Sequence, residues 1–167
     1  ASYQGRRWVT RRNLFIDRLA AIWLIKRFVD AKARFFFVAE GESVEGAIGF
    51  DMYGGEFTHR GEDCTFEMMI KQFSLNDDAG LRELAEIVHD IDLKDNKFNR
   101  SEAAGLGAVI RGLAESLKDD RKLAQQCYSI FDGLYELLVR ERKTTGGGKG
   151  GEKHARRNTS KRSKRST

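Results

Sequence analysis

The sequence predicts an α+β fold, predominantly α, with about five helices, a small β element and a single domain. Three observations carry this. Five stretches repeat apolar residues at helical spacing, two short runs have strand composition, and 167 residues that are 40% hydrophobic can bury one core of ordinary size. No internal repeat is visible.

In order, Asn13 is placed to cap a helix from about Leu14 to Val29. "ARFFFVAE" and "GAIGFDMY" are the strand-like runs, and "YGGEFTHRGED" is a turn-rich loop. A helix follows from about Cys64 to Phe73, with stripe Phe66, Met69, Ile70 and Phe73. Asp77 or Asp78 caps the next, which runs to about Leu93 before the break "DNKFNR". Ser101 caps a helix to about Leu117, loosened by Gly105, Gly107 and Gly112. Asp119 or Asp120 caps the last, from about Arg121 to Arg142, with stripe Leu123, Cys127, Ile130, Phe131, Leu134 and Leu138.

The formal charge of +5 is unevenly spread. Residues 143–167 hold nine Lys/Arg against one Glu, about +8, so residues 1–142 carry about −3. The domain is assigned to 1–142. The tail 143–167 has no apolar periodicity to offset its ordering entropy and is expected to be disordered. Its Arg156, Arg157, Lys161, Arg162, Lys164 and Arg165 are candidates for nonspecific nucleic-acid binding.

Two cysteines are too few for a disulfide framework. Cys127 lies in an apolar stripe and reads as packing. The longest apolar run, Leu19 to Ile25, is too short to span a bilayer, so no membrane association is expected. A cytoplasmic, reducing location is expected. Beginning at Ala1, the chain leaves room for an upstream segment.

Several polar residues fall where apolar ones belong. Asp17 lies within the stripe Leu14, Ala21, Leu24, Ile25 and Phe28, so it needs a partner, either an arginine such as Arg11, Arg12 or Arg18, or a ligand. Asp92 lies in the stripe Leu81, Leu84, Ala85, Val88 and Ile91, with His89 at its edge and Asp90 roughly opposite. Glu-x-x-His and His-x-x-Asp spacing puts pairs of ligand-type side chains on one helical face. In "EFTHRGEDCTFEMM", His59, Cys64 and Glu67 have metal-ligand types at loop-then-helix spacing. A cysteine in a first helical turn feels the dipole and free amides, which favour its thiolate. Against this stand blander alternatives: a structural ion pair for Asp17, a half-buried histidine at 89, a capped helix with a half-buried thiol at 64. Asp17, His59, Cys64, Glu67, His89 and Asp92 are the candidate ligands of one divalent ion, with zinc, iron and manganese as possibilities. Arg11, Arg12 and Arg18, near a helix N-terminus, are the candidate oxyanion site, with a solvated basic arm as the alternative.

"RRWVTRRNLFIDRLAAIWLIKRFVD", "FDMYGGEFTHRGEDCTFEMMIKQF" and "LAEIVHDIDLKDNKF" together resemble the C-terminal domain of the chromate resistance protein ChrB family, over about Gly5 to Val139. The resemblance implies a bacterial, cytoplasmic protein associated with chromate resistance. Full-length relatives are chromate-responsive transcription regulators with an additional N-terminal region. That region is not seen here, so DNA-binding regulation is not carried over. Matching polar positions are Arg11, Asp17, Arg18, Asp51, Glu56, His59, Cys64, Glu67, His89, Asp90 and Asp92.

The leading expectation is a chromate-response domain that binds a metal ion or an oxyanion such as chromate, with Cys64 available to reduce or ligate chromium. The alternatives are a metalloenzyme with metal-activated water and Glu67 or Asp92 as base, or an interaction module whose tail binds polyanions. No reaction, substrate or oligomeric state is legible.

Overall fold

The structure is a computed structural model that describes residues 3–146. It is mostly helical with a small sheet, as the periodicity predicts. The elements are β1 (Arg7–Arg11), α1 (Ile16–Leu24), a π-helical extension (Ile25–Val29), β2 (Arg34–Val38), β3 (Ile48–Gly49), α2 (Thr65–Gln72), α3 (Ala79–Leu93), α4 (Ser101–Leu117) and α5 (Asp120–Gly146).

The sheet is parallel throughout, in the order β2-β1-β3. Its central strand lies within what the sequence presents as a basic arm. "RWVTR" buries Trp8, Val9 and Thr10 between two flanking arginines, and its aromatic and β-branched residues suit a pleated surface. The flanking arginines hide that signal. Asp30 anchors the strand's start by accepting from the amides of Gly5 (2.7 Å) and Arg6 (2.8 Å) and from Trp8 Nε1 (3.1 Å). Burial alone would raise the Asp30 carboxyl, but these bonds outweigh it and hold it below the ordinary range.

α1 buries eight of its nine residues and is packed by α2, α3 and α5. Trp8, Trp23, Phe50, Phe66 and Phe131 are fully buried in the one core. Burial of each such side chain is worth roughly 1.5–3 kcal/mol.

Several expected caps are different. Phe15, not Asn13, is the N-cap of α1. Asn13 adopts φ 60°, and its amide and that of Leu14 donate to the Asp120 carboxylate at 2.9 and 3.0 Å. Arg100, not Ser101, is the N-cap of α4. Asp78 caps α3 as expected, accepting from Leu81 N at 2.9 Å. Asp119 accepts from the amides of Arg121 and Lys122 and so serves the start of α5, leaving Asp120 free to tether the β1–α1 connection. α5 runs to Gly146, past the expected end near Arg142. Among the described residues no helix is long and apolar enough to cross a membrane. The tail candidates Arg156, Arg157, Lys161, Arg162, Lys164 and Arg165 lie outside the described residues.

Candidate functional site

The polar candidates gather at the carboxyl ends of the parallel strands. β1 ends at Arg11, β2 at Val38, and Asp51 follows just after β3. The chain leaves β1 through α1 to β2 on one side, while β3 lies on the other. The carboxyl end of β1 is therefore a topological switch point, the place where open parallel sheets leave a crevice for ligands.

Asp17 sits in the first turn of α1 and is 4% exposed. Among the described residues it makes no hydrogen bond or ion pair with an arginine. Its two oxygens accept from the amides of Thr65 (2.8 Å) and Phe66 (2.7 Å), free N–H groups at the start of α2. Burial, then the charges of Asp51 and Asp92, raise its pKa to about 7 against the lowering effect of those two bonds. Asp92 is half-buried and is also raised, first by burial and then by Asp51, while His59, Arg18 and His89 pull it down. Asp17, Asp51 and Asp92 thus form one electrostatic cluster together with Arg18 and the two histidines.

Asp51 is held at φ 44° by its place after the strand. Its carboxylate accepts from Thr65 Oγ1 at 3.2 Å and lies 2.8 Å from Arg18 Nε. That N–H is not aimed at the oxygen closely enough to count as a hydrogen bond, so the contact is an ion pair.

Cys64 departs from the reading of its sequence. It is the N-cap of α2, and its side chain is fully buried. Burial, with Asp17 and Glu67 nearby, drives the thiol far above its ordinary pKa. Two of the first-turn amides, Thr65 and Phe66, are taken by Asp17, and the Glu67 amide that does reach the Cys64 sulfur lowers the pKa by less than burial raises it. Cys64 is therefore a packed thiol whose burial disfavours the thiolate that the sequence reading expects. Cys127 is buried as expected, its thiol pushed up to about 11.

Glu67 closes the capping box of α2 by accepting from Cys64 N at 2.9 Å. The same oxygen, Oε2, lies 2.7 Å from His89 Nδ1, and His89 Nε2 lies 3.2 Å from Asp95. His89 is fully buried rather than at a half-exposed edge. Burial alone would lower its pKa, but Glu67 and Asp95 outweigh this and raise it. His89 therefore serves to pin α3 to the start of α2. Asp90 does not point away from the core: it is 7% exposed and accepts from the amides of Phe98 (3.0 Å) and Arg100 (2.7 Å), which fixes the loop before α4.

His59 is exposed in the loop between β3 and α2. Among the described residues, no group of three or more His, Cys, Asp and Glu side chains is arranged to hold a metal ion. Glu67 and His89 occupy each other, Cys64 is fully buried, and Asp17 already accepts two amides.

Arg11, Arg12 and Arg18 come together. All three line one cavity of about 480 Å³ at the ends of β1 and β2, with Asn13, Val38, Ala39 and Glu40. Arg11 Nε is buried without a hydrogen-bond partner among the described residues, and its contact with Glu40 is loose at 3.8 Å. Arg12 Nε reaches the Phe37 carbonyl at 3.4 Å. Three guanidinium groups against one carboxylate give the lining a net charge of +2.

The site residues that spacing misses are Asp51, as the partner of Arg18, and Asp95, as the second partner of His89. Asp51 carries a positional signal, a carboxylate directly after a strand-like run. Asp95 carries none, because loop closure brings it back to His89.

Fold and site together define a small helical domain built on a parallel three-stranded sheet, with a charged site at the strands' carboxyl ends. The chain belongs to the ChrB family: residues 8–138 match the family described as ChrB, C-terminal domain. It is 37% identical over 142 residues to Protein ChrB of Cupriavidus metallidurans, covering 84% of this chain and 43% of that protein. The chain thus spans less than half the length of that relative. No solved structure matches it.

Proposed function

We propose that the domain is the oxyanion-binding part of a cytoplasmic chromate-response protein, and that it binds a tetrahedral dianion of the chromate class between Arg11, Arg12 and Arg18. The observation that carries this reading is the convergence of those three side chains on one cavity. Guanidinium groups bind oxyanions through paired, charge-assisted hydrogen bonds. An anion in the cavity would satisfy the buried Nε of Arg11 and compete with Asp51 for Arg18. The neighbouring Asp17, Asp51 and Asp92 would repel an anion that strays from the arginines.

The test is calorimetric titration of the protein with chromate and with sulfate at pH 7.5. Saturable binding that weakens about tenfold or more in Arg11→Gln and in Arg18→Gln supports the reading. Absence of binding at millimolar anion, or unchanged binding in both variants, overturns it. A divalent cation (zinc, iron or manganese) is the second reading. It is favoured by the burial and, after it, the nearby Asp51 charge that raise Asp17 and Asp92, which a cation would offset. Side chains would have to move to complete a ligand set. Metal analysis of untagged protein separates the two.

A further inference from the structure

A cavity larger than the arginine cavity lies elsewhere and shares no lining residue with it. It has a volume of about 700 Å³ and sits between α1, the outer strand β2 and the first turns of α5. Phe35 and Phe37 alternate with Phe36 along β2, so both point to the same face of the sheet and into this space. Each is left half-buried although the sequence could have placed polar residues there. Tyr128 of α5 supplies a third aromatic wall.

The cavity also holds two cations and no carboxylate, Lys26 from the π-helical turn and Arg121 from α5. Arg121 lies 5.9 Å above the Phe37 ring. Neither cation is within ion-pair distance of a carboxylate among the described residues. Arg27, next to Lys26 in sequence, shows the contrast: it is paired with both Asp132 and Glu136. Gln125 and Ser129 share this face of α5 and offer hydrogen bonds to the edge of a ligand.

Aromatic walls favour a flat ring, two unpaired cations favour a compact anion, and the volume is within the range of small-molecule sites. We propose that this cavity binds a nucleoside monophosphate unit, its base against Phe35, Phe37 and Tyr128 and its phosphate at Lys26 and Arg121. The unit is either a free mononucleotide or one residue of a single strand.

The experiment titrates the whole chain with AMP, adenosine, ribose 5-phosphate and a ten-residue oligodeoxyadenylate. AMP is expected to bind at least tenfold more tightly than either fragment, and to shift the ring resonances of Phe35, Phe37 and Tyr128. The double variant Lys26→Gln/Arg121→Gln is expected to lose tenfold or more while melting normally, since both side chains are exposed. Arg11→Gln is expected to leave AMP binding unchanged, which keeps this result separate from the oxyanion reading. Tighter binding of the strand, lost in the same double variant, assigns the source to a strand rather than a free nucleotide. No AMP binding at 5 mM on the order of a weak-ligand limit, binding without those resonance shifts, or full binding by the double variant overturns the proposal.

Discussion

Asp17 is the residue on which the candidate site turns. It is a carboxylate inside the core, tied to two backbone amides of another helix and facing the charges of Asp51 and Asp92. Its pKa rises from 3.8 to about 7. The folded protein therefore binds more protons at Asp17 than the unfolded chain between those two values. This stabilisation is fully present below about pH 4 and is lost as pH rises through about 7. His89, also raised, has the same sign, its contribution fading as pH rises beyond its ordinary 6.5. Asp30, Asp95 and Glu102 are lowered, so they lose their contributions only in more acid solution. Asp17→Asn is expected to lower stability overall, because one amide oxygen cannot replace two carboxylate oxygens. It should also remove the part of the fall between pH 5 and pH 8 that belongs to Asp17, on the order of a few kcal/mol at most. Urea unfolding of both proteins at the two pH values measures this. An equal pH dependence would show that Asp17 does not titrate in that range. The sequence pointed to Asp17 as buried and needing a partner. It could not show that the partner was a backbone, since the amides of a distant helix carry no residue-type signature.

At the scale of elements, helix periods were legible and their junctions were not. The stripes of α2, α3 and α5 follow directly from 3.6-residue spacing, and Asp78 stands at the cap its position suggests, whereas Cys64, expected in the first turn of α2, is its N-cap. β1 was not legible, because its short apolar core is enclosed by arginines that suggest a solvated arm. Asn13 and Asp120 show a different limit: Asp120 bonds across 106 residues to the β1–α1 connection, a contact that no local pattern encodes. The α3–α5 junction permits a direct test. A Cβ built on Gly80 would stand 2.6 Å from Val139 Cγ2 and 3.0 Å from Tyr135 Cε2. Neither neighbour is free to yield, since Val139 is β-branched in a helix and the Tyr135 hydroxyl is held by Asp78 at 2.7 Å. Gly80→Ala is therefore expected to destabilise by about 1–3 kcal/mol through overpacking, despite alanine's better helix propensity. Gly105 and Gly112 in α4 meet nothing within 4 Å. Alanine at either should stabilise by about 0.5–1 kcal/mol. Chemical denaturation of the three variants checks the contrast, and a neutral or stabilised Gly80→Ala would mean that α3 and α5 are not in such close contact.

At the scale of the whole molecule, charge is divided by place. The arginine cavity is a local positive site set in a body whose net charge is negative. Residues 147–167 hold eight Lys/Arg and one Glu, a net +7, which leaves −2 for residues 1–146 out of the total of +5. A chain truncated after Gly146 keeps every residue of the core, of the arginine cavity and of the aromatic cavity. It should therefore melt within a few degrees of the full chain and bind chromate-class anions with the same affinity. Binding to duplex DNA should behave differently. Cations that neutralise phosphates release counterions, so the full chain's affinity should fall steeply with salt, by a log–log slope approaching about −6 if all of the tail's net charge is engaged. The truncated chain, with a negative body, should bind duplex DNA weakly and with a much shallower slope. Melting curves, anion titrations and DNA titrations at several salt concentrations on the two chains separate these effects. If truncation leaves the slope unchanged, the cations that meet DNA belong to the folded domain, and the arginines at the ends of β1 and β2 would be the first to replace. If truncation weakens anion binding as well, the oxyanion site is not confined to Arg11, Arg12 and Arg18, and the tail contributes charge to it.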